Sequence, residues 1–142
     1  MKYPITNQHF QVAWGGQRIG FTEISGLSIQ SDALEFSEGT FKTPSPIKMP
    51  GILKYQNLIL KRHLYKGDNE MYEWFQTIHF NQVERRDITI SLLNESHEPM
   101  VVWKVSKAFP VKIDWSDLNA NDSSVMIETI EVAYDSLQME MF

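Results

Sequence analysis

Apolar residues recur along most of this chain with a period of two. From Arg86 to Leu93, Ile88, Ile90 and Leu92 alternate with Asp87, Thr89 and Ser91, as in a strand with one buried face. The same reading predicts strands over about Leu27–Glu38, Lys54–Leu64, Met100–Trp115 and Ser124–Tyr134, and Pro110 should interrupt or bend the strand that holds it. A hairpin is predicted from His9–Trp14 and Arg18–Glu23, because Gly15-Gly16 between them can adopt the positive φ of a tight turn. One segment instead has a helical period. Met71, Trp74, Phe75 and Ile78 fall at i, i+3, i+4 and i+7 and predict a helix over about 69–80, capped by Asp68 or Asn69. Glu70 and Glu73 suit the positive end of its dipole.

Two segments break the simple pattern. Thr40–Leu53 holds Pro44, Pro46, Pro50 and Gly51, a density of donor-less, φ-locked residues that excludes helix and interior strand. Yet Phe41, Ile47, Met49 and Ile52 interrupt it, which a solvated loop does not need. The last predicted strand is apolar on both sides: Met126, Ile130, Val132 and Tyr134 against Val125, Ile127 and Ala133. A strand with one wet face alternates cleanly, so cover comes from two directions, by the chain's own helix and loops or by a neighbouring subunit.

At 142 residues the chain has the length of one domain, residues 1–142. Cysteine is absent, which removes disulfides, thiolate nucleophiles and Cys-based zinc sites. The net charge of −5 argues against a surface built to grip phosphate backbones. The start, MKYPITNQHF, lacks the apolar core of a secretory signal. No apolar run approaches the ~20 residues of a membrane helix.

Candidate chemistry is thin. His9, His63, His79 and His97 have no mutual spacing that suits a metal, and no cofactor motif is present. The run from Trp14 to Gly20 lacks the Gly-Lys-Ser/Thr ending of a phosphate loop and leads into a predicted strand. Glu128 and Glu131 lie three apart on a strand and so point to opposite faces. Asp114 and Asp117 share a turn-rich loop, where local hydrogen bonding accounts for them. Lys61-Arg62 and Arg85-Arg86 read as solvated strand or turn residues.

Several motifs then occur in order. FTEISGLSI begins at Phe21, LEFSEG at Leu34, KMPGILKYQNLILKR at Lys48 and RRDITISLLN at Arg85. Trp103, AFPVK from Ala108, DLNA from Asp117 and IETIEVAY from Ile127 complete the series. Together they resemble the contractile phage tail-tube family over about Phe10 to Leu137. Ile59 stands where that family usually has Thr, and Gln138–Phe142 matches no part of its pattern.

The resemblance implies a mainly β fold: a small antiparallel β-barrel or sandwich with one flanking helix, assembling through inter-subunit sheet contacts. It implies a structural, non-enzymatic subunit of the hollow inner tube of a contractile tail or injection system. Its partners would be further copies in stacked hexameric rings, a sheath protein, baseplate and tube-initiator proteins, a terminator cap, and DNA or a protein effector as cargo. Such a chain is made in the bacterial cytoplasm and built into a particle that can be released. Thr40–Leu53 then reads as an arm to a neighbour, with Phe41, Ile47, Met49 and Ile52 as contacts. Polar strand faces are the candidates for the lumen: Ser28, Gln30 and Asp32, or Asp87, Thr89 and Ser91. The alternatives are a tube-initiating paralogue, a free-standing ligand-binding barrel, and a small hydrolase using Asp114, Asp117 and a histidine.

Overall fold

The computed structural model describes residues 3–15, 20–36, 39, 47–79 and 82–142. Its elements run β1 (Phe10–Ala13), β2 (Glu23–Ser25), β3 (Ile29–Phe36), β4 (Ile47–Tyr55), β5 (Leu58–His63), α1 (Glu70–Phe75), β6 (Arg86–Leu93), β7 (Pro99–Trp115), β8 (Ile127–Ala133) and β9 (Ser136–Met141). Seven strands form one antiparallel sheet in the order β1-β6-β7-β8-β5-β2, with β9 beside β7. Strands β3 and β4 pair separately as a two-stranded ribbon. The fold is mainly β and sandwich-like, without a closed barrel.

The sandwich arises because β7, 17 residues long, belongs to both layers. Its first half pairs with β6 and β9, its second half with β8. Of the three register shifts along it, two lie at the bend. Between Arg86↔Ala108 and Ile88↔Val105, β7 carries one extra residue opposite Asp87. Lys107 there takes a φ of 55°, and its amide donates to Asp87 Oδ1 at 3.0 Å. The second shift falls between Pro110 and Lys112, where a missing N–H is tolerated. The expectation that Pro110 bends this strand is met. Strands β8 and β9 follow the same edge of β7 around the corner, separated by Tyr134 and Asp135.

The core lies between the layers. Val12, Ile88, Ile90 and Val105 face Leu58, Leu60, Ile130 and Val132, and Trp14, Met71 and Trp74 close one side. Arg86 lies over both indoles, 4.6 Å from Trp14 and 5.1 Å from Trp74, and pairs with Glu84 at 2.9 Å. Arg85 lies over Phe109 at 4.6 Å. Cation–π contact to the two tilted indoles thus replaces the solvated role expected for Arg86, while the Arg85 side chain stays about 46% exposed.

Other expectations need correction. The hairpin of the first two strands does not form: β1 pairs with β6 and β2 with β5, at opposite ends of the sheet order. Phe10 and Val12 gain apolar neighbours opposite Leu92 and Ile90, and that long-range packing outweighs local turn chemistry. The strand predicted from Lys54 is divided at Gln56 and Asn57. Helix α1 is shorter than the predicted 69–80, since Thr77 Oγ1 donates to Trp74 O and accepts from Glu84 N, and His79 and Gln82 pair to turn the chain. Met71 and Trp74 are buried as predicted, while Ile78 is exposed. Strand β9 has no counterpart among the predicted elements.

Arg62 sits in the apolar row of β5 and is about 1% exposed. Its Nε donates to Glu128 at 2.8 Å, its Nη1 to Asp68 at 2.7 Å, and Trp115 Nε1 donates to the other Glu128 oxygen at 2.8 Å. Asp68 also accepts from the Glu70 amide and so starts the helix. The hydrogen bond from Arg62 holds the Asp68 carboxyl below its ordinary range. A depressed folded value means stability fully present above the unfolded value of about pH 4 and lost as pH falls through the folded one.

These contacts set measurable stabilities. Replacing Lys107 with Gly should raise the denaturant midpoint by relieving about 1–2 kcal/mol of left-handed strain, whereas Asp87→Ala should lower it; a neutral or lower midpoint for Lys107→Gly refutes the strain account. Arg62→Ala should destabilise by about 3–5 kcal/mol, because Glu128 stays buried without its partner. Asp68→Asn should flatten the loss of stability below pH 4 in urea titrations, and an unchanged acid limb counts against the Asp68 linkage.

Candidate assembly surface

The β3–β4 ribbon leaves the body as an arm. Among the described residues its substantial contacts are between its own two strands, apart from its base, where the tilted rings of Tyr55 and Tyr134 pack with centroids 5.7 Å apart. The exit is set by Gly26, whose φ of +95° and close approach to the Asn57 carbonyl admit no side chain. Proline is tolerated in β4 because the ribbon has only edge strands and because Pro50 adjoins a bulge. The extra residue lies on β4, between the pairs Ser31↔Leu53 and Ala33↔Pro50. A Cβ on Gly51 would come 2.5 Å from Asp32 O, so this bulge needs glycine.

Alternation in the ribbon separates its surfaces. On one face the base is polar, with Gln30 bonded to Asp32 and Asp32 ion-paired with Lys54. The tip of that same face is apolar, with Leu34 opposite Met49 and Phe36 opposite Ile47. All four are exposed. Ile52, at the bulge, is 81% exposed.

Of the residues singled out from sequence, Ile47, Met49 and Ile52 therefore lie together on β4, as a strand and not as the irregular segment expected. Phe41 lies outside the described residues. Gln30 and Asp32 belong to the arm, and Ser28 precedes it half-buried. Asp87, Thr89 and Ser91 lie on β6, on the face turned away from the core, where the Asp87 carboxylate is engaged by the Lys107 amide. Register places Thr89 beside Ala13 and Lys104, and Ser91 beside Gln11 and Val102. Gln138 and Glu140 of β9 continue those rows, and Lys104 pairs with Glu140 at 3.1 Å. The result is a sheet face of mostly small and polar side chains, in which Lys104 is ion-paired with Glu140 and Asp87 accepts the Lys107 amide.

Sequence reading missed Leu34 and Phe36, whose alternation gave no sign that their strand leaves the sheet. It also missed Met139 and Met141, although Leu137, Met139 and Met141 do alternate. Among the described residues no group of three or more His, Asp or Glu is placed to hold a metal ion. None of the described helices is long and apolar enough to cross a membrane.

An open β-sandwich with a projecting apolar arm is the form of a subunit made for assembly, and comparison identifies the kind. Residues 6–138 match the family model for the T4-like virus tail tube protein gp19. The chain belongs to that family and is a structural tube subunit. It is similar to a chain in the cap of the anti-feeding prophage (its tube-terminating cap), at 36% identity over 100% of this chain and 94% of that one, with a TM-score of 0.91. It is similar also to a chain of the sheath–tube complex of PVC, an extracellular contractile injection system, in its extended state, at 33% identity over 99% and 94%, TM-score 0.90. Hcp1 from Flavobacterium johnsoniae shares the fold at 16% identity over 94% and 95%, TM-score 0.58. No curated protein sequence matches the chain.

Gly51→Ala should disturb the arm and leave the core intact. The thermal midpoint should move by no more than about 1 kcal/mol equivalent, while self-assembly measured by sedimentation falls. A cooperative loss of stability in this variant would show that the arm is part of the folded core.

Proposed function

We propose that this chain is the main inner-tube subunit of a contractile injection system, forming hexameric rings that stack into a hollow tube. The observation that carries this is the apolar arm, Ile47, Met49 and Ile52 with Leu34, exposed on a ribbon that the body does not cover among the described residues. Covering large apolar side chains contributes about 1.5–3 kcal/mol each when burial is complete. A ring needs two different surfaces on each subunit, and β1, β2 and β9, which have no second strand partner among the described residues, supply routes for sheet pairing between subunits.

The face of β6 with Asp87, Thr89 and Ser91 is the lumen wall in this reading. The Lys104–Glu140 ion pair and the small side chains around it support that choice over Ser28, Gln30 and Asp32, which lie on or beside the arm. A wall of that kind offers passing DNA or protein little to adhere to. The subunit works by assembly and not by catalysis, as befits a structural family. Its partners are the sheath, the baseplate and its initiator, and a terminator cap, the assemblies that hold its relatives. It is made in the bacterial cytoplasm and leaves the cell within the particle.

Negative-stain microscopy of the purified protein should show rings or tubes of uniform diameter. Ile47→Asp should abolish stacked tubes while circular dichroism keeps its β-sheet signal. A wild-type chain that stays monomeric at high concentration refutes the main-tube role and favours the initiator.

A further inference from the structure

The pairing of β1 with β6 brings together two histidines from distant parts of the chain. The imidazoles of His9 and His97 meet edge to face, with centroids 6.2 Å apart and planes at 78°. His9 precedes β1, and its carbonyl accepts from the Leu93 amide at 2.7 Å. His97 sits in the turn between β6 and β7, where its amide donates to Asn94 O at 3.0 Å and its φ is 60°. Asn94 Oδ1 accepts from the Ser96 and Glu98 amides at 2.8 and 2.9 Å, which closes the turn. Both backbones are therefore held, while both residues stand exposed. Neither imidazole makes a hydrogen bond or ion pair among the described residues. Glu95 and Glu98 flank His97 and make no ion pair there either.

We propose that His9 and His97 form a binding site for one divalent transition-metal ion of the class that prefers imidazole: Zn2+, Ni2+ or Cu2+. The distances carry this. An ion bonded to a ring nitrogen at about 2.1 Å lies about 3.2 Å from the ring centroid, so two rings on one ion have centroids at most about 6.4 Å apart. A tetrahedral ion brings them to about 5.2 Å. The observed 6.2 Å falls inside that span, and closing it by about 1 Å needs only rotation of exposed side chains about their broad terminal torsion. The two carboxylates without an ion pair add attraction for a cation. Solvent completes the coordination shell, because no third His, Asp or Glu is grouped with them as a ligand among the described residues. Bound there, the ion clips β1, a four-residue strand at the end of the sheet order, to the β6–β7 hairpin. The site goes beyond the tube-subunit reading and does not depend on it. Its histidines share no local motif, since only the sheet order brings them together.

The test uses the full chain without a polyhistidine tag, titrated calorimetrically with NiCl2 and with ZnCl2 at neutral pH. One ion per chain is expected. His9→Gln and His97→Gln should each weaken binding about tenfold or more, and saturating metal should raise the thermal midpoint of the wild type but of neither variant. Electron paramagnetic resonance of the Cu2+-loaded chain should show two imidazole nitrogens in the wild type and one in each variant, a signature that a change in stability alone does not move. Binding that survives either substitution unchanged overturns the site. So does a wild-type spectrum with one imidazole nitrogen or none, which leaves the pair as a packing contact between rings.

Discussion

The bend in β7 is the constraint on which the rest of the molecule depends. One strand serves two layers only if it can turn between them without losing its hydrogen bonds. The turn is made where Lys107 adopts a left-handed conformation and Asp87 accepts its amide. Arg85 braces the same corner, with its guanidinium over Phe109 and 3.6 Å from Asp135. Everything inward of the bend becomes core, because Ile88, Ile90 and Val105 are thereby brought against Leu58, Leu60 and Ile130. Everything outward becomes surface available to other copies.

A buried charge cluster ties the second layer to the helix. Placing Arg62 in an apolar row carries a large desolvation penalty, which its bonds to Glu128 and Asp68 offset. The cluster contributes geometry more than net stability over an apolar replacement. Arg62 on β5, Glu128 on β8, Trp115 at the end of β7 and Asp68 before α1 satisfy one another in one arrangement. That arrangement fixes where the helix begins and where β7 ends.

The body and the arm divide the work. The body has its own buried core. The arm and β9 leave large apolar side chains in water. Function in this family is assembly, so the surfaces that look unfinished in one chain are those that matter.

Local pattern was enough for much of this. The ends of β6 were legible because its alternation is clean and its neighbours are turn residues. The apolar side of α1 was legible in Met71 and Trp74, and the arm in Ile47, Met49 and Ile52, apolar groups set among prolines. Order along the chain also placed the family, through motifs whose residues are largely structural: Gly26 at the arm's exit, Arg62 and Glu128 in the core, Arg86 between two indoles. Which strand pairs with which was not legible. Gly15-Gly16 favours a hairpin locally, but pairing energy is collected from strands far away in sequence, and β1 went to β6. Nor could alternation show that β3 leaves the sheet or that Arg62 points inward, since period two names two faces without saying what covers either. The sequence by itself determined most of the strands, the buried side of the helix and the apolar residues that stand exposed on β4. The tertiary structure alone decided the pairing order, the bend in β7 and the fate of each face, because these depend on contacts between residues that are distant along the chain.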